Sequence, residues 1–586
     1  MSFNKYFQEE LSYLRDLGKE FSEANPQLAP FLAERGSDPD VERLLEGFSF
    51  LTSRLSQKLN DQLPELTHSM IEMMWPHYLR PIPSMSIVEF KPVANALTES
   101  RQIKQGTELD SIPVEGTSCR FRTCYDVDIS PLEITQASIK HDAKNSYLTL
   151  DFQLHSGTSL AQINLDNIRL FLHGDPVITQ TLYLWIRRYL SKLIVSASGD
   201  NPLNDGINIG TTAVTPVGFA LNESLMDYSE QVFPGYRLLQ DYFILQDKFL
   251  YLDIGKLGTL KQAGNGNSFS LQFVFERFID EHVRISKNNF RLHTTPVINV
   301  FKRDADPIRI DHTSMEYRIR PNGRNSTHFD VYSIDKVESK VQGVAQSRVY
   351  TPVHTFEHEE SQVDSIGHYH KRLKSGASDR RVETYIAFGG QKTRHDQLNR
   401  EIVSVELTCT NRHLPEKLKV GDIKIPTASS PEFVTFSNIT STSATVYPPL
   451  DEDLQWQLIS NMSLNYSSLT NIQMLRNLIA AYDFKAMSDR QAERQLQLKL
   501  QGISNIDVTT EDRLIKGHPI RGLSIHILIK ESHFTSEGDM YLFASVLDKF
   551  FSLYTSINSF HQLTVVGEEK GETYTWPLKM GLQNIL

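Results

Sequence analysis

Between Asp38 and Pro83 the apolar side chains recur three and four residues apart. Val41, Leu44, Leu45, Phe48, Leu51, Leu55 and Leu59 fall on one face, which predicts an amphipathic helix about 30 Å long. Asp38-Pro39 supplies its start: the carboxylate accepts from open backbone N–H groups, and proline presets φ where no donor is needed. Leu63-Pro64-Glu65 predicts a restart, with Leu66, Met70, Ile71 and Met74 lining a second helix. Pro76, Pro81 and Pro83 forbid further helix and predict a stiff, extended hinge into a strand at Ser86–Phe90. Upstream, Phe3, Phe7, Leu11, Leu14, Leu17 and Phe21 predict an opening helix over residues 2–21, closed by Asn25-Pro26. Phe50 stands off the main stripe, and Met70, Met73 and Met74 crowd the second helix. Apolar residues on more than one side predict neighbours all round, from this chain or another.

From Ser84 the period changes from helical to alternating. SIVEF, YLTLDFQL, IRLFLHG, FLYLDI, LQFVFERF, VINVFKR, TYIAFG and IVSVELTCT are short runs between Gly, Pro, Asn and Asp, the mark of antiparallel strands in sandwiches or barrels. One helix is expected over Asp175–Leu190, and a turn or short helix feeding a strand within Gly235–Ile254. The polar stretch His354–Arg381 reads as a long exposed loop. Helical texture returns after Asp451, with capping-box patterns at Thr470–Gln473 and Ser488–Gln491. A strand over Leu523–Ile529, an amphipathic helix over Asp539–Tyr554 and a strand near Gln562–Val566 follow. The fold class is α+β and multidomain: a helical N-terminal region (1–83), a β-rich domain (84–310), a second with the long loop (311–450), and an α+β C-terminal module (451–586).

Composition narrows the function. A chain of 586 residues exceeds one core. Its net charge of −11 argues against nucleic acid or anionic lipid as partner. The first 83 residues hold 8 basic and 13 acidic side chains, so −5 of that excess lies there, as a solvated face or a surface for a basic partner. Three cysteines, Cys119, Cys124 and Cys409, make no disulfide framework. With no apolar leader and no run of about 18 apolar residues, a cytoplasmic location is expected.

Chemistry is hard to find. His354 and His358, with His368, His370, Glu357 and Asp364 nearby, do not form H-E-x-x-H. Cys119 and Cys124 lack a second pair for zinc. Gly264 and Gly266 lack the strand-before, helix-after setting of a phosphate cradle, and no G-x-S-x-G elbow occurs. Lys371, Arg372, Lys374, Arg380 and Arg381, with Tyr369, form a basic patch better read as a solvated loop than as a nucleic-acid site. Neither a catalytic residue nor a cofactor is assigned. A β-rich hydrolase or a carbohydrate-binding sandwich stands as the alternative, and it would require convergent carboxylates in a concave site.

Several strings carry a family resemblance: YFQEELSYLRDLGKEF, DPDVERLLEGFSFLTSRLSQKLNDQLPELT, WPHYLRPIPSMSIVEF, PGYRLLQDYFILQDKFLYLDI, TPVINVFKRDADPIRIDH, MSLNYSSL and RGLSIHILIK…FASVLDKFFSLYTSINSFHQLTV. In this order they resemble TssF, also called ImpG or VasA, a baseplate subunit of bacterial type VI secretion systems. The resemblance implies a non-enzymatic wedge protein without cofactors. It implies two TssF copies with one TssG, joined by TssE and TssK, around the VgrG spike hub and docked on the membrane complex at the inner face of the inner membrane. It also implies helices shared with TssG. The candidate contact residues are Phe3, Phe7, Leu11, Leu14, Val41, Leu44, Phe48, Leu51 and Leu55.

Overall fold

The first long element, α1 (Pro39–Met74), is a single helix of about 54 Å at 1.5 Å per residue. It carries through Pro64, where a restart is expected. Proline removes one backbone donor and crowds the carbonyl four residues back, but the helical register on both sides is continuous and the helix does not stop. The computed structural model describes residues 7–8, 10–14 and 39–581, apart from 94–96, 143, 156, 200–205, 229–232, 264, 279–282, 311–313, 342–346, 354–365, 376–381, 390–400, 449, 451–470 and 516. Within α1, side chains are described at 40, 43–53 and 67–74. Residues 7, 8 and 10–14 are helical; the remainder of the expected opening helix lies outside the described residues.

The proline segment is an anchor rather than a hinge. Pro76–Leu79 forms one tight helical turn, and Trp75, Tyr78, Leu79 and Ile82 are buried. Tyr78 packs edge-on against Phe484, ring centres 4.4 Å apart, and its hydroxyl donates to the Ala481 carbonyl at 3.0 Å. The Ile82 amide donates to Val446 at 2.7 Å. The prolines end the helix as expected, but the aromatic and aliphatic residues between them are drawn into the core, which fixes the exit.

The alternating runs form strands at the expected places, grouped by pairing that their order in the chain does not follow. Met85–Pro92 lies antiparallel between Thr294–Ile298 and Val434–Asn438, in a six-stranded sheet completed by Glu108–Val114, Thr117–Thr123 and Ile423–Pro426. Strands from beyond residue 311 thus return to the sheet that opens the first β-rich block. Ser146–Leu154, Ser268–Phe275 and Leu190–Ser198 are consecutive neighbours in a five-stranded sheet. Ile168–Leu172 and Tyr251–Ile254 pair in a four-stranded one. An eight-stranded sheet holds Glu401–Thr410, Asp330–Val341, Ser347–Pro352, Ile366–Ser375 and Val382–Gly389 in that order.

The strand Ile366–Ser375 overturns the expected loop. It runs parallel to Ser347–Pro352 and antiparallel to Val382–Gly389. Its polar side chains hide the alternation, and each finds a polar partner: His368 with Thr351 at 3.1 Å, His370 with Ser69 at 3.0 Å, Lys371 with Glu72, Arg372 and Lys374 with Glu316.

Helix α2 (Pro176–Leu184) starts where Asp175 accepts from the Val177 amide at 2.8 Å. It widens into a π-type turn over Trp185–Tyr189 and becomes strand at Leu190, so helical backbone fills the expected segment. Helix α3 (Pro234–Ile244) feeds the strand Tyr251–Ile254 through a short turn. In the C-terminal part come α4 (Ile472–Ala480), α5 (Phe484–Ser488) and α6 (Arg490–Gly502). Asn471 and Asp489 cap α4 and α6, one residue beyond the expected Thr470 and Ser488; Ser488 instead closes α5, its hydroxyl donating to the Lys485 carbonyl at 3.1 Å, and Thr470 lies outside the described residues.

A hairpin of Ile503–Ile515 with His518–Ile529 follows. Only its proximal half is flanked, by Phe560–Gly567 from Leu523 onward. The distal half is a two-stranded ribbon with Leu514 76% exposed, an element the sequence pattern did not predict because its residues are polar on both faces.

Helix α7 (Glu537–Tyr554) is buried almost all round. It crosses α2 at Gly538, where a Cβ would collide with the Gln180 carbonyl, and meets α3 through Phe233, whose ring centre lies 4.3 Å from that of Tyr554. Lys499 of α6 holds Asp539 at 2.8 Å, and beneath α3 the fully buried Lys248 pairs with Asp241. One continuous core runs from Ile71 through the five- and four-stranded sheets to Trp576, so the C-terminal module shares its interior with the first β-rich block.

Candidate assembly surfaces

Helix α1 has two distinct faces. At about 100° per residue, Leu44, Phe48 and Leu51 lie within an arc of roughly 60°. They are 74%, 56% and 65% exposed. Ser49 and Ser53, turned well away from that arc, are fully buried. The apolar stripe therefore points away from the described protein while small hydroxyl residues face inward, the reverse of an ordinary surface helix. Ser53 donates to the Phe50 carbonyl at 3.0 Å and is satisfied within the helix, as is Thr52 through the Phe48 carbonyl at 2.6 Å, whereas the buried Ser49 hydroxyl has no partner among the described residues. Phe50, off the stripe, is also exposed.

Of the other candidate contact residues, Phe7, Leu11 and Leu14 are half-buried on helical backbone. Phe3 and the side chains of Val41 and Leu55 lie outside the described residues. The C-terminal half of α1 is held down: Ile71 is buried in the core, and Ser69 and Glu72 grip His370 and Lys371 of the eight-stranded sheet. The helix is thus a lever fixed at one end with an apolar face along the other.

The sequence candidates for chemistry do not converge. His368 and His370 alternate along one strand, bonded to Thr351 and Ser69; His354, His358, Glu357 and Asp364 lie outside the described residues. Among the described residues no three His, Cys, Asp or Glu side chains stand close enough to hold a metal ion. Burial pushes the thiols of Cys119, Cys124 and Cys409 up to about 12, which makes them poor nucleophiles. Lys371, Arg372 and Lys374 are tied to carboxylates on a strand and so do not form a free basic patch; Arg380 and Arg381 lie outside the described residues. No described helix is long and apolar enough to cross a membrane.

The family described as "Type VI secretion system, TssF" matches residues 1–583. The chain belongs to the TssF family. A curated relative, type VI secretion system component TssF1 of Pseudomonas aeruginosa, is 28% identical over 98% of both chains. Among solved structures, a chain of the type VI secretion TssK-TssF-TssG baseplate subcomplex superposes with a TM-score of 0.77 at 28% identity, covering 92% of this chain and 98% of that one. A chain of a type VI secretion baseplate complex superposes at 0.63 with 25% identity over the whole of both. Family membership places the helical lever, the interleaved sheets and the shared C-terminal core in one architecture, α+β and multidomain, as the sequence pattern predicted.

Proposed function

We propose that this protein is a structural subunit of the type VI secretion baseplate that assembles with TssG and TssK, and that the Leu44–Phe48–Leu51 face of α1 packs against TssG helices. The observation carrying the reading is that this stripe is exposed while the opposite side of the same helix is buried. A contiguous apolar face of this kind on a cytoplasmic protein marks a protein contact. The finer arrangement follows the family resemblance: two copies of this chain with one TssG, together with TssE, surround the VgrG hub and dock on the membrane complex. No catalytic step is proposed, because the strongest ionic groups bind one another across sheets and helices.

The test is co-purification of the full chain with TssG. Replacing Leu44, Phe48 and Leu51 together with serine is expected to abolish it, since truncating central apolar contacts costs about 1 kcal/mol or more each. A triple variant that folds and retains TssG at full affinity would refute the assignment.

A further inference from the structure

The hairpin of Ile503–Ile515 with His518–Ile529 leaves one long edge open. Ile503–Ile515, 13 residues long, forms a margin of its sheet. Its inner side bonds to His518–Ile529, and no described strand lies against its outer side. The strand is tied down at its start, where Arg476 donates to the Ile503 carbonyl at 2.6 Å and Ser504 to Glu568 at 2.7 Å. From Asn505 to Ile515 it carries no proline and no register shift, two of the devices that blunt an edge. The margin Leu132–His141 of the five-stranded sheet, by contrast, is broken by a bulge between Ile134 and Gln136. The distal part of the hairpin has no third strand, and a two-stranded ribbon is marginal in water.

The side chains along this edge complement a copy of themselves. Opposite residues of an antiparallel pair share a face. A two-fold axis that joins two such edges stands perpendicular to the sheet, because only that axis reverses the strand and keeps each face on its own side. Symmetric registers therefore differ by two residues, since a slip of one would exchange the faces. The register centred on Thr510 sets Asp507 opposite Arg513 twice, Ile506 opposite Leu514 twice, and Thr510 opposite itself. Centring on Thr509 sets Asp507 against Glu511, and centring on Glu511 sets that carboxylate against its own copy. Like charges directly opposite are destabilising, so both neighbouring registers are disfavoured. The free chain keeps these groups within reach. Asp507 accepts from the neutral Asn505 side-chain amide at 3.1 Å, Arg513 meets Glu511 at 2.7 Å with both half in solvent, and Leu514 stands exposed.

We propose that Asn505–Ile515 is the contact by which a second copy of this chain docks, the two edges pairing antiparallel about Thr510. The join is a sheet of four strands, two from each copy. The Asp507–Arg513 ion pairs fix its register, and Leu514 of each copy lies beside Ile506 of the other. This surface is separate from the α1 face and does not depend on the TssG contact. Pairing along one edge buries little area, so the contact suits copies that an assembly already holds near one another.

The test uses the isolated full chain carrying Thr510→Cys, without TssG. Opposite Cβ atoms in an antiparallel pair lie about 4.5–5.5 Å apart, close enough to join with a small adjustment, and the native Cys119, Cys124 and Cys409 are buried. Oxidised glutathione, reduced as the two thiols join, is expected to give a disulfide-linked dimer. Leu514→Cys, also exposed but far from the axis, is expected to give at least about fivefold less, because its opposite residue is Ile506. In the Thr510→Cys background, Asp507→Arg or Arg513→Asp alone is expected to lower the yield about tenfold, since each turns two attractions into repulsions. The two swaps together are expected to restore it, which also shows that the swapped chains fold, and the doubly swapped chain should not pair with the unswapped one. No dimer from Thr510→Cys at about 0.5 mM chain, equal yield from Leu514→Cys, no loss in the single swaps, or no recovery in the double swap would each overturn the paired edge and leave the TssG reading standing.

Discussion

Lys371 Nζ lies 3.0 Å from Glu72 Oε2, with both side chains largely shielded from water. The pair joins the last turn of α1 to a strand that begins nearly three hundred residues later. With Ser69 and His370 beside it, it sets the direction in which the exposed half of α1 projects. We predict that Glu72→Gln loosens this contact by roughly 1–3 kcal/mol, the cost of leaving a shielded charge without its partner. Amide hydrogen exchange over residues 67–74 is expected to accelerate while that of α7 stays unchanged; identical exchange in both would show that the pair does not hold the lever.

Tyr78 is the second anchor. Its hydroxyl reaches the Ala481 carbonyl and its ring fits against Phe484. Tyr78→Phe should cost about 1 kcal/mol for the lost hydrogen bond, and Tyr78→Ala about 3–5 kcal/mol for the ring and the cavity left behind. Urea denaturation of the two variants reads this ordering, which a mobile hinge at Pro76–Pro83 would not produce.

Two helical glycines should respond oppositely to alanine. At Gly47 on α1 a Cβ meets nothing within 4 Å, so Gly47→Ala is expected to stabilise by about 1 kcal/mol through helix propensity alone. At Gly538 the same Cβ strikes backbone of α2, and helix backbone cannot swing aside as a side-chain tip can. Gly538→Ala should destabilise by about 1–3 kcal/mol or more. Thermal melting of both variants decides it, and a stabilised Gly538→Ala would mean that the α2–α7 crossing is loose.

Burial holds five described imidazoles below their usual range: His68 at about 4, His77 at about 3 and His293 at about 4, with His173 and His370 lowered in the same direction. An unfolded histidine titrates near 6.5. Below that pH the unfolded chain takes up protons that the folded chain refuses. The stability these groups contribute is therefore complete above about pH 6.5 and is lost as pH falls toward their folded values, by up to about 1.4 kcal/mol per pH unit for each. Asp483, raised to about 6 by burial, and Asp247, raised by the same cause, act in the opposite sense over part of this window and are outnumbered. Denaturation midpoints are expected to fall between pH 7 and 5, less steeply in His77→Gln; a flat profile would contradict the assignment.

Periodicity alone determined that Val41 to Leu59 is helical and amphipathic, that SIVEF, YLTLDFQL and IVSVELTCT are strands, and that residues 539–554 are helical, because each follows from side chains a few positions apart; that the last helix, expected to be amphipathic, is buried almost all round was decided by its neighbours. The strings that carry the family resemblance are equally local. Tertiary structure decided the rest. Whether Leu44, Phe48 and Leu51 face the core or the outside depends on what covers Ser49 and Ser53. A strand as polar as Ile366–Ser375 exists because Ser69, Glu72, Glu316 and Thr351 stand ready to receive its charges and rings. Val434–Asn438 joins the sheet of Met85–Pro92 because an edge was open there. A residue's period is set by its neighbours in sequence, whereas its partner is set by the folded chain, and hydrogen bonds and ion pairs between distant segments leave no periodic trace.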